Sequence, residues 1–250
     1  FRAPNLLRDL FAEGALSTAF VTTFSKTQES DGEEAAWALG RKVVTLTAAF
    51  MTLVSLAGMF FSAQIMAVMT SGFSPAGQAF AARLALIMFP FILMVSLAAL
   101  SMGMLNARRV FFLPALASCF FNLGSVVAGV ALAWWIDPSF GPQALAGMAG
   151  GVLVGGLLQW LVQTPALRRQ GFRFRPDFRW RHPGVRKVLG LMGPAVIAGS
   201  AVQINVLVNT SFASYLAEGS MVWLNTAFRL MMFPLGVFGV AVGTVALPEL

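Results

Sequence analysis

AFAARLALIMFPFILMVSLAALSMGMLN, residues 79–106, holds one charged residue, Arg83, and stops just short of the pair Arg108-Arg109. An α-helix rises 1.5 Å per residue, so about 20 apolar residues cross a hydrocarbon layer ~30 Å thick. This run is long enough with residues to spare. Its apolar residues are continuous and not alternating, which argues against a membrane strand. The same reading extends to 1–25, 43–69, 110–136, 143–167, 188–217 and 221–248. The expected fold is therefore all-α and polytopic, with about seven transmembrane helices. Short turn-rich connections join them: Ser71-Gly72-Phe73-Ser74-Pro75, Asp137-Pro138-Ser139 and Glu218-Gly219-Ser220.

Composition agrees. Asp, Glu, Lys and Arg make up 11% of the chain against 58% hydrophobic residues, with mean hydropathy +0.77. A soluble chain carries roughly 25% charged residues. The abundant Met and Phe suit lipid contact and adaptable helix packing. Cys119 is the single cysteine, so no internal disulfide can form, and its apolar run predicts a small buried hydrophobe. The start at Phe1 and the end at Leu250, directly after an apolar span, read as an internal piece of a longer protein.

Loop charge predicts orientation. Lys26, Arg41 and Lys42 lie on one side, with Arg108 and Arg109 and then Arg168, Arg169, Arg173, Arg175, Arg179, Arg181, Arg186 and Lys187. The opposite loops hold Asp137 and Glu218 and no Lys or Arg. By the positive-inside rule the basic segments near 26–42, 106–110 and 168–187 are cytoplasmic. This accounts for the sequence pI of about 11 without any nucleic-acid partner. The 168–187 loop, with the only histidine, His182, is expected to be solvated and within reach of anionic lipid headgroups. Arg83 lies close enough to a span end to snorkel.

Arg8 and Arg229 are harder to place. An arginine at mid-membrane costs at least ~3 kcal/mol on insertion scales unless it faces protein or water. At 100° per residue Arg8 shares a face with Asn5, Ala12, Ala15, Ala19 and Thr22, and Arg229 aligns with Gly236 and Gly243. Small residues let backbones approach, so these faces are expected to point into protein. The span before Arg229 is polar on two sides: Gly199, Ser200, Gln203, Thr210 and Ser214 on one, Asn205 and Asn209 on the other. Gly193-Pro194 and Phe233-Pro234 permit bending. Bent helices around a polar midplane suit a transporter that alternates its access, although inter-helix hydrogen bonding in a static bundle would use the same residues.

The segment Phe1-Arg2-Ala3-Pro4-Asn5-Leu6-Leu7-Arg8, followed by Phe11-Ala12-Glu13-Gly14-Ala15, resembles the MurJ/MviN family. These are lipid II flippases of peptidoglycan synthesis within the multidrug/oligosaccharidyl-lipid/polysaccharide exporter superfamily. The resemblance continues through Gly103-Met104-Leu105-Asn106-Ala107, Gly155-Gly156-Leu157-Leu158-Gln159 and Met192-Gly193-Pro194, to Arg229-Leu230-Met231 and Phe233-Pro234-Leu235-Gly236. It implies spans two to eight of a fourteen-span, two-lobed fold. Residues 1–169 would complete the N-terminal lobe, 170–187 would be a basic cytoplasmic loop, and 188–250 would begin the C-terminal lobe.

The resemblance also implies an inner-membrane flippase moving an undecaprenyl-diphosphate-linked precursor, with Arg8 and Arg229 holding the diphosphate. Asn5, Glu13, Gln203, Asn205 and Asn209 would support that cavity. It implies neither cofactor nor catalytic residue, and the driving ion is not readable. Asp9, Thr22, Phe228 and Asn209 depart from the family pattern; Asn209 stands where some relatives carry an acidic residue associated with sodium. Another exporter of the superfamily would share the fold. An intramembrane lipid-diphosphate enzyme would need a nucleophile or an acid–base pair at depth, and only Asp9 and Glu13 approach the membrane interior.

Overall fold

A computed structural model describes residues 16–217 and 219–234. The helices are α1 (Ser17–Asp31), α2 (Glu33–Phe60), α3 (Ser62–Met69), α4 (Pro75–Met88) and α5 (Phe91–Ala107), followed by α6 (Phe112–Ile136), α7 (Ala144–Leu161), α8 (Thr164–Arg169), α9 (Pro183–Ala213) and α10 (Ser220–Pro234). No strand occurs among the described residues. Five helical stretches there are long and apolar enough to cross a membrane: Glu33–Phe60, Pro75–Ala107, Phe112–Ile136, Ala144–Arg169 and Pro183–Ala213. The chain is a multi-pass membrane protein. The expected first span lies mostly outside the described residues, and the last is described only as far as Pro234.

Two expectations need correction. The basic segment near 26–42 is not a loop: α1 runs to Asp31 and α2 starts at Glu33, with Gly32 alone between them at φ +88°. Charge marks where a helix leaves the hydrocarbon, not where it ends. What ends α1 is a backbone turn into the left-handed region that glycine adopts without steric cost. Glu33 and Glu34 then fall in the first turn of α2, favourable at its N-terminus. Likewise only 170–182 is irregular in the long basic connection, because α8 and α9 take its flanks. Cys119 is exposed, not buried. The apolar run told its environment but not its side: α6 packs through Pro114, Ala117, Gly124, Gly129 and Ala133.

The opening stretch is split where Phe89-Pro90 interrupts α4 and α5, since proline offers no N–H to the helix ladder. Phe89 is fully buried, and its ring lies against Gly58 of α2, where any Cβ would collide with it. α5 is the central helix, with Phe91, Ile92, Val95, Leu100 and Leu105 buried. Its hydroxyls stay satisfied locally: Ser96 donates to Ile92 O at 2.7 Å and Ser101 to Leu97 O at 2.8 Å.

α6 and α7 meet through glycine. Gly147, Gly151 and Gly155, four residues apart, press against the backbones of Ala133, Gly129 and Phe121. Such close approach is how helices associate in lipid, where burial of apolar surface offers no drive. Replacing Gly151 with Leu forces backbone from backbone, so a loss at or above the ~3 kcal/mol upper range of overpacking is expected. Gly150→Leu meets only the flexible Leu132 side chain and should be markedly milder. Thermal unfolding of both variants in detergent checks this; equal melting temperatures would refute the close-packed stripe.

Candidate functional site

α1 and α9 carry the polar faces that the sequence singles out. On α1, Ala19, Phe20, Thr23 and Phe24 are buried while Thr22 is exposed and donates to Thr18 O at 2.9 Å. Of the predicted Arg8 face only Ala19 and Thr22 are described, the first buried and the second exposed. Asn5, Arg8 and Glu13 lie outside the described residues, as does the side chain of Arg229 on α10.

α9 separates its two polar stripes. Ser200 and Gln203 are half-buried and Thr210 and Ser214 buried, whereas Asn205 and Asn209 are exposed, joined by a 2.7 Å hydrogen bond from Asn209 Nδ2 to Asn205 Oδ1. Helix geometry persists through Pro194 without interruption. The predicted supporting residues Gln203, Asn205 and Asn209 thus sit on one helix, with only the first turned toward neighbours.

Both ends of α9 are fastened. At the basic end Val185 and Val188 join Leu16, Phe20, Leu39 and Val43 in one apolar cluster. His182 is exposed, as expected, but also structural, because its Nδ1 accepts from Gly184 N at 3.2 Å and caps the helix. Burial, then the charges of Lys42 and Arg179, push its pKa below the ordinary value against the pull of Asp177. At the other end Ser71 Oγ lies 3.3 Å from Ser211 Oγ. Gly72 N donates to Ser214 Oγ at 3.0 Å, and Ser211 Oγ donates to Val68 O at 3.2 Å. A side chain at Gly72 would strike the Ser214 carbonyl.

Beside the basic end lies a buried charge that sequence reading missed. Lys42, counted there among the cytoplasmic loop cations, is 3% exposed inside α2. Its Nζ is 3.4 Å from Asp177 Oδ2 and donates to Ala38 O at 3.2 Å. Arg179 closes a fork on the same carboxylate, 2.7 Å from Nη2 to Oδ2 and 3.0 Å from Nε to Oδ1. Asp177 N donates to Thr45 Oγ1 at 3.1 Å. The Arg179 hydrogen bonds first, then the Lys42 charge, hold the Asp177 carboxyl well below the usual carboxylate range despite burial. The only sequence signal was Thr45, placed one turn beyond Lys42 among apolar neighbours. Nearby, Glu33 accepts from Trp37 Nε1 at 3.1 Å and pairs with Arg108 at 3.0 Å.

A polytopic helical bundle, with one polar helix half-open and held at both ends, defines the all-α class of multi-pass membrane proteins. The sequence profile of the family described as "Lipid II flippase MurJ" matches residues 1–250, and the chain belongs to that family. It is 40% identical over 256 residues to the lipid II flippase MurJ of Burkholderia cenocepacia, covering all of this chain and 49% of the relative. It is 36% identical to the probable lipid II flippase MurJ of Vibrio cholerae, covering 48% of that protein. A solved structure of lipid II flippase MurJ in an inward closed conformation aligns over 97% of this chain and 49% of its own, with TM-score 0.75 and 25% identity. The chain spans about half the length of these relatives.

Proposed function

We propose that this chain forms part of a bacterial inner-membrane flippase that carries lipid II from the cytoplasmic to the outer leaflet by alternating access. Family membership supports the substrate, and no cofactor or catalytic residue enters the reading. The observation that carries the mechanism is the double fastening of α9, with the exposed Asn205–Asn209 pair between its ends. An element tied at both ends and polar between can open one tie at a time. The serine contact would be the tie at the outer end, the basic loops marking the cytoplasmic one.

The diphosphate would be held by Arg8 and Arg229, whose guanidinium forks match phosphate oxygens. Asn5, Glu13 and Gln203 would complete the cavity. Transport requires the anion to bind the two states unequally. The membrane potential is a suitable drive, at ~2.3 kcal/mol per charge per 100 mV.

The mechanism is tested by Ser71→Cys with Ser211→Cys in the full-length protein after Cys119→Ala. The two hydroxyls meet at 3.3 Å, which makes these positions the pair to crosslink. Oxidation is expected to stop lipid II translocation and reduction to restore it. Undiminished translocation by fully crosslinked protein would rule out opening at this contact.

A further inference from the structure

α2 and α7 do not close over α5. Between them runs a groove of about 920 Å³, walled by Ala48, Trp160 and Leu161 and floored by Leu97 and Met104. Leu97 to Met104 spans seven residues, so the groove runs about 10 Å along the helix axis. Its basic end is roofed by Phe172 to Phe174 and carries Arg168 and Arg173. Leu161 and Phe174 are exposed, so the groove opens at the protein surface.

The ion pairs at this end leave both arginines over. Glu33 is taken by Arg108, and Asp177 by Lys42 and Arg179. Among the described residues neither Arg168 nor Arg173 has a carboxylate within ion-pair distance. Two exposed guanidiniums above an apolar trough have the charge and polarity pattern of one phospholipid: acyl chain along α5, phosphate on the arginines. A zwitterionic headgroup would bring its own cation to the pair, while an anionic phosphodiester matches it. The predicted cytoplasmic surface is where anionic lipids and basic segments attract each other.

We propose that this groove is a binding site for an anionic glycerophospholipid, on the α2–α5–α7 side of the protein and separate from the α9 stripe. Its bound lipid would brace the start of the 170–182 connection. The test uses full-length protein freed of lipid, titrated with phosphatidylglycerol or phosphatidylcholine and read by native mass spectrometry. Phosphatidylglycerol is expected to bind at least tenfold more tightly. Arg168→Gln with Arg173→Gln should remove that preference, and Ala48→Leu should weaken binding with both arginines intact. Leu161→Trp, at the exposed mouth, serves if Ala48→Leu fails to fold. Equal binding of the two lipids, or no binding because another part of the protein fills the groove, overturns the proposal. So does a groove-filling variant that binds normally, since the headgroup contact would then be only a surface film. Because the readout is binding, a failure here is distinct from a failure of translocation.

Discussion

Arg8→Ala and Arg229→Ala, made singly in the full-length protein, are each expected to abolish growth of a bacterium depleted of its own flippase while leaving membrane expression unchanged. Truncating one partner of a desolvated, hydrogen-bonded charge pair costs about 2–5 kcal/mol. At 1.4 kcal/mol per tenfold, substrate retention would fall roughly thirtyfold or more. Lysine keeps the charge but not the planar fork, so Arg8→Lys and Arg229→Lys should restore growth partly. Ala and Lys behaving alike would point to geometry and not charge as the essential property. Normal growth of both alanine variants would refute the cavity assignment. Gln203→Ala and Asn205→Ala, which remove neutral donors, should reduce transport without abolishing it, each neutral hydrogen bond being worth about 1 kcal/mol.

The fold was legible because a membrane imposes a length rule. The run at 79–106 was read as one span and crosses as two helices, because its break at Phe89-Pro90 is a backbone event that apolar length alone does not register. What the apolar runs did not show was side. Cys119 and Ala117 belong to the same run, yet one is exposed and the other buried, because glycine contacts to α7 choose the face of α6. Polarity misled differently at Lys42. A cation near a span end reads as solvated, and its burial depends on Asp177, some 135 residues away in sequence. Periodicity carries no such long-range information. Among site residues the two stripes on α9 were visible by spacing, but their unequal exposure follows from packing against α1 and the 68–72 turn.

Asp177→Asn should have the largest structural effect outside the glycine seam, and it should be strongly asymmetric with Lys42→Met. Removing the carboxylate's charge leaves Lys42 buried without compensation, and breaking a buried pair in this way costs about 3–5 kcal/mol. Asp177 is itself 16% exposed, which favours the lower figure. Lys42→Met instead removes the buried charge and leaves Asp177 in the Arg179 fork, so little should be lost. Cleavage of a transiently opened segment follows its open population. Trypsin should therefore cut at Arg173 and Arg175 on the order of a hundredfold faster in Asp177→Asn, and near the wild-type rate in Lys42→Met. The double variant should resemble Lys42→Met, since no unpaired charge remains inside. The sign of the pH dependence follows from the depressed Asp177 pKa. A carboxylate held below its unfolded value of ~3.9 stabilises fully above that pH and loses the contribution as pH falls through the folded value. The clasp is then intact at neutral pH, and the wild type should approach Asp177→Asn in loop opening only under strong acid. A protease active in acid reads that convergence. Equal cleavage of Lys42→Met and Asp177→Asn at neutral pH would mean that the pair acts through packing, not charge.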